Sequence, residues 1–121
     1  MSGNKEDART KLDKAAALNA TDPFTYVLLG SLVNEEYQQL AERHKTMMSG
    51  PLKDETLKRA NAKIDEVIDF YAHAVGLSEG NTVYQGLHDS ILQDLTSYYK
   101  YRHNGSTDGM QALIDKYKKP Q

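Results

Sequence analysis

The 121-residue chain carries 15 Lys and Arg against 17 Asp and Glu, a formal charge of −2, and has no cysteine. A balance this close to neutral gives no strong field for nucleic acid or anionic lipid, and the absence of thiols excludes disulfides and thiolate metal sites. The length holds one domain with a modest core, and no apolar run nears the roughly 20 residues that a membrane span needs.

Met1 to Glu6 read as unstructured, and no apolar stretch there resembles a signal peptide. Asp7 to Asn19 is rich in the helix formers Ala, Leu and Lys, with Ala8, Leu12, Ala15, Ala16 and Leu18 along one side. That stripe is thin, so the helix needs a neighbour. Thr21-Asp22-Pro23 is a start signal, because Asp22 caps free amides and Pro23 suits the first helical position. The helix that follows is predicted from Pro23 to about Met48. Tyr26, Leu29, Val33, Tyr37, Leu40, His44 and Met47 recur along it at steps of three and four. Gly30 lies beside that stripe, where glycine costs about 1 kcal/mol relative to alanine. Close contact with another helix is the expected compensation.

Ser49-Gly50-Pro51 ends this helix, and the next is predicted from Lys53 or Asp54 to about Val75, with Gly76 as its stop. Its stripe is Ile64, Val67, Ile68, Tyr71, Ala74 and Val75, and the small Ala72 and Ala74 flank the bulky Tyr71. Ser78 to Asn81 is a turn. A third long helix is predicted from Thr82 to about His103, with Tyr84, Leu87, His88, Ile91, Leu95, Tyr98, Tyr99 and Arg102 inward. Asn104-Gly105-Ser106 breaks it. Ser106 or Asp108 then caps a last helix with Met110, Leu113, Ile114 and Tyr117 inward, and Pro120 ends the fold. Lys116, Lys118 and Lys119 read as a solvated helix end that complements the dipole. No segment shows strand-type alternation, so the reading is all-α.

The piece LDKAAALNATDPFTYVLLGSL resembles a junction between tetratricopeptide repeats, with Ala15 in the small-residue place and Tyr26, Leu29 and Gly30 in the aromatic, leucine and glycine places. Ala20 stands where the family often has proline. Val67, Tyr71 and Ala74 match the second helix of a repeat, and Tyr84, Leu87 and His88 begin the next, with Glu79 for the usual turn proline and histidine for glycine. The distance from Tyr26 to Tyr84 exceeds the family period by roughly 24 residues, which lengthens each helix of one hairpin by about 12 residues, or roughly 18 Å. The tail SYYKYRHNGSTDGMQALIDKYKKP is similar to the C-terminal end of some bacterial members.

The resemblance implies antiparallel helical hairpins stacked as a short right-handed solenoid with one hairpin elongated. Residues 7–19 would end a preceding repeat, 23–76 form the elongated hairpin and 82–118 form a C-terminal helical pair. It also implies the C-terminal part of a longer bacterial protein, cytoplasmic or periplasmic, that acts as a non-catalytic scaffold for a peptide or protein partner. The groove-facing positions it marks are Asn34, Gln38, Asp89 and Gln93.

Other residues carry rival chemistry. Asp65, Asp69 and His73 are spaced by four along one helix face, a pattern open to a divalent metal or a small ligand, against the reading of a solvated face. His88 and Asp89 are adjacent, and adjacent helical positions do not face each other, so no catalytic pair is expected there. Glu35 and Glu36 are expected to pair loosely with Arg43 or Lys45, and the Glu-x-x-His of di-iron bundles is missing. Tyr98 and Tyr99 share the inner side, while Tyr101, between Lys100 and Arg102, either binds an acidic peptide or covers the last helix. No phosphate loop, nucleophile elbow or zinc-protease motif is present, so neither an enzyme nor a cofactor is expected. A homodimer is expected through the tip of the long hairpin or through the open end at residues 7–19.

Overall fold

Among residues 2–118, which the computed structural model describes, the chain forms five α-helices and no strand. They are α1 (Ser2–Leu18), α2 (Pro23–Thr46), α3 (Pro51–Ser78), α4 (Gln85–Arg102) and α5 (Met110–Lys116). A 3₁₀ turn, Thr82–Tyr84, leads into α4. Met1, Lys119 and Pro120 lie outside the described residues, so the expected end at Pro120 and the last of the three lysines do too.

The local signals explain most boundaries. The Asp22 carboxylate accepts from the Phe24 amide at 3.0 Å and Pro23 opens α2. Arg43, His44 and Lys45 in its last turn complement the dipole. Helix α1 begins at Ser2 rather than Asp7, a correction to the unstructured reading of the first residues. Helix α3 begins at Pro51 itself, because a proline that cannot continue one helix is pre-set for the first turn of the next.

Gly76 does not stop α3. The helix runs on to Ser78, whose hydroxyl donates to the Ala74 carbonyl at 2.8 Å, and the left-handed residue comes later, at Gly80 (φ +77°). Gly76 instead admits the last helix, since a Cβ there would meet the Ile114 carbonyl oxygen at 2.7 Å. Thr82–Tyr84 winds as a 3₁₀ turn capped by Asn81, so the third long helix starts at Gln85. Neither Ser106 nor Asp108 caps α5. Gly109 (φ +88°) holds that position, while Ser106 Oγ accepts from the Asp108 amide in the turn before it.

Helix α3 lies at the centre. Tyr26 meets His73, Gly30 meets Tyr71 and Glu36 meets Lys63, so α2 runs antiparallel along it. Tyr71 meets Tyr98 and Asp65 meets Arg102, so α4 is antiparallel to it as well. Helix α5 packs on α3, and α1 lies against α2 and reaches α3 through Arg9 and Glu66 at 2.8 Å. From Tyr71 to Ser78 every residue but His73 is buried. A helix apolar on all sides is a helix enclosed on all sides. Leu29 and Val33 of α2, Ile91 and Leu95 of α4, and Ile114 of α5 complete the core around it.

The far half of the α2–α3 hairpin is different. Helix α3 is 28 residues long and α4 is 18, about 42 Å against about 27 Å. Leu40 and Ala60 are buried between α2 and α3, outside the main cluster, and Met48 and Leu52 at the tip are largely exposed.

Gly30 tests this packing. A Cβ at position 30 would meet Cδ1 of the buried Tyr71 ring at 2.6 Å, and that ring has nowhere to go. Gly30→Ala is therefore expected to lose about 1–3 kcal/mol of stability in urea denaturation, despite alanine's better helix propensity. Gly86→Ala, where a Cβ meets nothing within 4 Å, is expected to be neutral or to gain up to about 1 kcal/mol. A stabilising Gly30→Ala would contradict the close approach.

Candidate functional site

Helices α2 and α4 both pack on α3 and are joined to each other by long polar side chains. Asn34 Nδ2 donates to the Tyr98 hydroxyl at 3.3 Å, and Asn34 Oδ1 is buried with no partner among the described residues. One turn earlier, Ser31 and the Tyr71 hydroxyl share a hydrogen bond of 3.3 Å. One turn later stands Tyr37, whose phenol is pushed up to about 12 by burial, with the neighbouring hydroxyls of Tyr101 and Tyr98 adding to the shift. The result is a seam of tyrosine hydroxyls and one amide between the two helices.

This places the residues singled out from sequence. Asn34 is not a free groove residue, because it sits in the seam and spends its amide on Tyr98. Gln38, Asp89 and Gln93 are exposed. His88 Nδ1 stands 3.1 Å from the Asp89 carboxylate, which also accepts from Gln85 Nε2 at 2.9 Å, and the two, His88 foremost, hold that carboxyl below the usual range. The expectation that His88 and Asp89 cannot face each other is thus corrected, since the side chains fold back far enough to touch. Tyr101 is 58% exposed, and the neighbour it finds is Tyr37 of α2 rather than the last helix. Tyr99, two positions earlier, is the residue that reaches the segment before α5, donating to the Asp108 carbonyl at 2.5 Å. Tyr37 and Ser31 went unmarked as site residues, although their spacing from Asn34 by three was the available signal.

Asp65, Asp69 and His73 turn to partners on other elements, and Tyr117 serves two of them. Arg102 grips Asp65 through two hydrogen bonds of 2.8 and 3.2 Å. The Tyr117 hydroxyl donates to Asp69 at 2.8 Å, and burial, reinforced by Asp69, pushes that phenol up to about 12. His73 lies between two rings, with Tyr26 at 3.6 Å and Tyr117 at 4.1 Å between centroids. Among the described residues no three Asp, Glu or His side chains gather as a metal-ligand group. The face is solvated only in part, with Asp65 still exposed, because Arg102 of α4, Tyr117 after α5 and Tyr26 of α2 pack against it. A cleft of about 420 Å³ remains between α3, α4 and the approach to α5, lined by Asp65, Asp69, Arg102 and His103. Glu36 also departs from expectation, pairing across helices with Lys63 at 2.7 Å rather than with Arg43 or Lys45.

Comparison with protein-family models, with curated proteins and with solved structures gives no match to this chain. No helix among the described residues is long and apolar enough to cross a membrane.

The stacked histidine has a pH signature. Burial holds the His73 imidazole below its usual value, with Asp69 opposing and Lys116 reinforcing. The fold thus prefers the neutral ring, and the unfolded chain binds the proton more readily. This contribution to stability is complete above the unfolded pKa of about 6.5 and is lost as pH falls through and below it. His73→Phe, which keeps a ring between Tyr26 and Tyr117, is expected to flatten the fall in urea midpoint between about pH 7 and 5.5. An unchanged slope would overturn the assignment.

Proposed function

We propose that this chain is a non-catalytic protein-interaction scaffold, built as a short tetratricopeptide-like stack with one elongated hairpin, which takes a peptide or protein partner on the outer faces of α2 and α4. The observation that carries the reading is exposed apolar surface on those helices. Phe24 and Leu28, one turn apart on α2, are 51% and 40% exposed, and Tyr101 stands open on α4. Large rings left in water are the material of interface anchors. Gln38, Asp89 and Gln93 add exposed polar groups on the same two helices.

Two further features support the stacked reading. Gly30 and Tyr71, the positions that the resemblance marks as its glycine and aromatic, are in close contact between α2 and α3. The Asn34–Tyr98 link joins the first helices of successive hairpins, and Arg9–Glu66 joins α1 and α3, the two second helices in this reading. Self-association belongs to the same proposal. Leu40 and Ala60 in the far half of the hairpin are buried between its two helices, which leaves the exposed Met48, Leu52 and Leu57 for a second copy.

The test is affinity capture with the wild-type chain and a Gln38→Lys, Asp89→Lys, Gln93→Lys variant of equal thermal stability. A partner recovered by the wild type and lost by the variant is the expected result, and equal recovery would overturn the surface assignment. For self-association, light scattering is expected to show a dimer that Met48→Lys with Leu52→Lys reduces to monomer. A wild-type monomer at high concentration would remove that part.

A further inference from the structure

The chain has four arginines, and the structure divides them into two kinds. Arg9 and Arg102 each bind a carboxylate on another helix, Glu66 and Asp65, at 2.8 Å. Arg43 and Arg59 have no such partner among the described residues, and both line one cleft of about 240 Å³ between the far halves of α2 and α3. Arg43 follows Glu36 and Gln39 along one face of α2, at steps of three and four, and Arg59 and Lys63 are one turn apart on α3. The buried Leu40 forms part of the cleft wall and Gln39 adds an amide. Of the carboxylates near it, Glu36 is engaged with Lys63 at 2.7 Å and Glu42 with Lys45 at 3.9 Å, while Glu55 stands one turn before Arg59 on α3 and does not line the cleft.

We propose that this cleft is a binding site for a phosphoryl dianion, gripped by Arg43 from α2 and Arg59 from α3. A chain with net charge −2 has here put two unneutralised guanidiniums beside an ammonium, against a single carboxylate. That local excess of two positive charges matches a dianion better than a carboxylate. A phosphoryl group also offers three acceptor oxygens, enough for planar donor forks arriving from two directions. Leu40 closes one side of the cleft with an apolar wall, while Arg43 and Arg59 themselves are exposed and reachable from solvent. The site is separate from the α2–α4 surface, so either proposal stands if the other fails.

The experiment is a nuclear magnetic resonance titration of the ¹⁵N-labelled chain at constant ionic strength, at about pH 7.5, where a phosphoserine is dianionic and inorganic phosphate is mostly so. The Nε–H signals of Arg43 and Arg59 report on inorganic phosphate, a phosphoserine peptide and acetate in parallel. Saturable shifts of both arginines by a phosphoryl probe, with acetate at least about tenfold weaker, are expected. Arg43→Gln and Arg59→Gln are each expected to weaken binding about tenfold, and Lys45→Gln is expected to change it little. Circular dichroism melts check that the variants fold. Tighter binding of the peptide than of inorganic phosphate assigns the site to a phosphorylated protein segment, and equal binding assigns it to a free phosphate-bearing molecule. Non-saturating shifts, shifts matched by acetate, or binding that survives the double Arg43→Gln, Arg59→Gln variant would overturn the proposal.

Discussion

The fold depends on the last eight residues of one helix being almost wholly withdrawn from water. From Tyr71 to Ser78, α3 is enclosed by α2, α4 and α5, and only His73 breaks the run of buried residues. Enclosure of that degree requires neighbours to come closer than ordinary side chains allow. Gly30 supplies the room on the α2 side, where the Tyr71 ring lies against its backbone, and Gly76 supplies it on the α5 side, where the Ile114 carbonyl lies against α3. A helix hydrophobic around its whole circumference cannot sit at the edge of a stack. The short α5 is therefore part of the core despite its seven residues.

The sequence revealed the helices better than it revealed their contacts. Asp22-Pro23 marked a true start, and the glycine beside a stripe at Gly30 implied the close approach that Tyr71 makes. Gly76 misled because a glycine that ends a helix and one that admits a neighbour look alike in sequence, and the difference is made by Ile114 and Tyr117, far along the chain. Ser2 to Glu6 lacks an apolar stripe, which hid the start of α1. Asp65, Asp69 and His73 form a periodic polar face that reads equally as solvent or as ligands. Their actual partners, Arg102 and Tyr117, are 37 and 48 residues away from the carboxylates they bind. Local pattern carries no information at that range.

Polar groups in this molecule are used mainly to join helices. Arg9–Glu66, Arg102–Asp65, Tyr117–Asp69 and Asn34–Tyr98 each tie two elements together. Exposed or half-exposed pairs of this kind contribute little stability individually. Their value lies in selecting one arrangement of helices whose apolar faces alone would tolerate several.

The unequal lengths of α3 and α4 make the distal hairpin a cantilever. Its root is clamped by the core, while beyond Ile64 it is held by α2–α3 pairing, with Leu40, Thr56 and Ala60 as the buried rungs. Such a span can fray from Met48 inward without disturbing the clamped end, so opening energies fall along its length. A ligand that cross-links the two legs would then draw part of its effect from stiffening the beam, trading binding energy for order at a distance from the core.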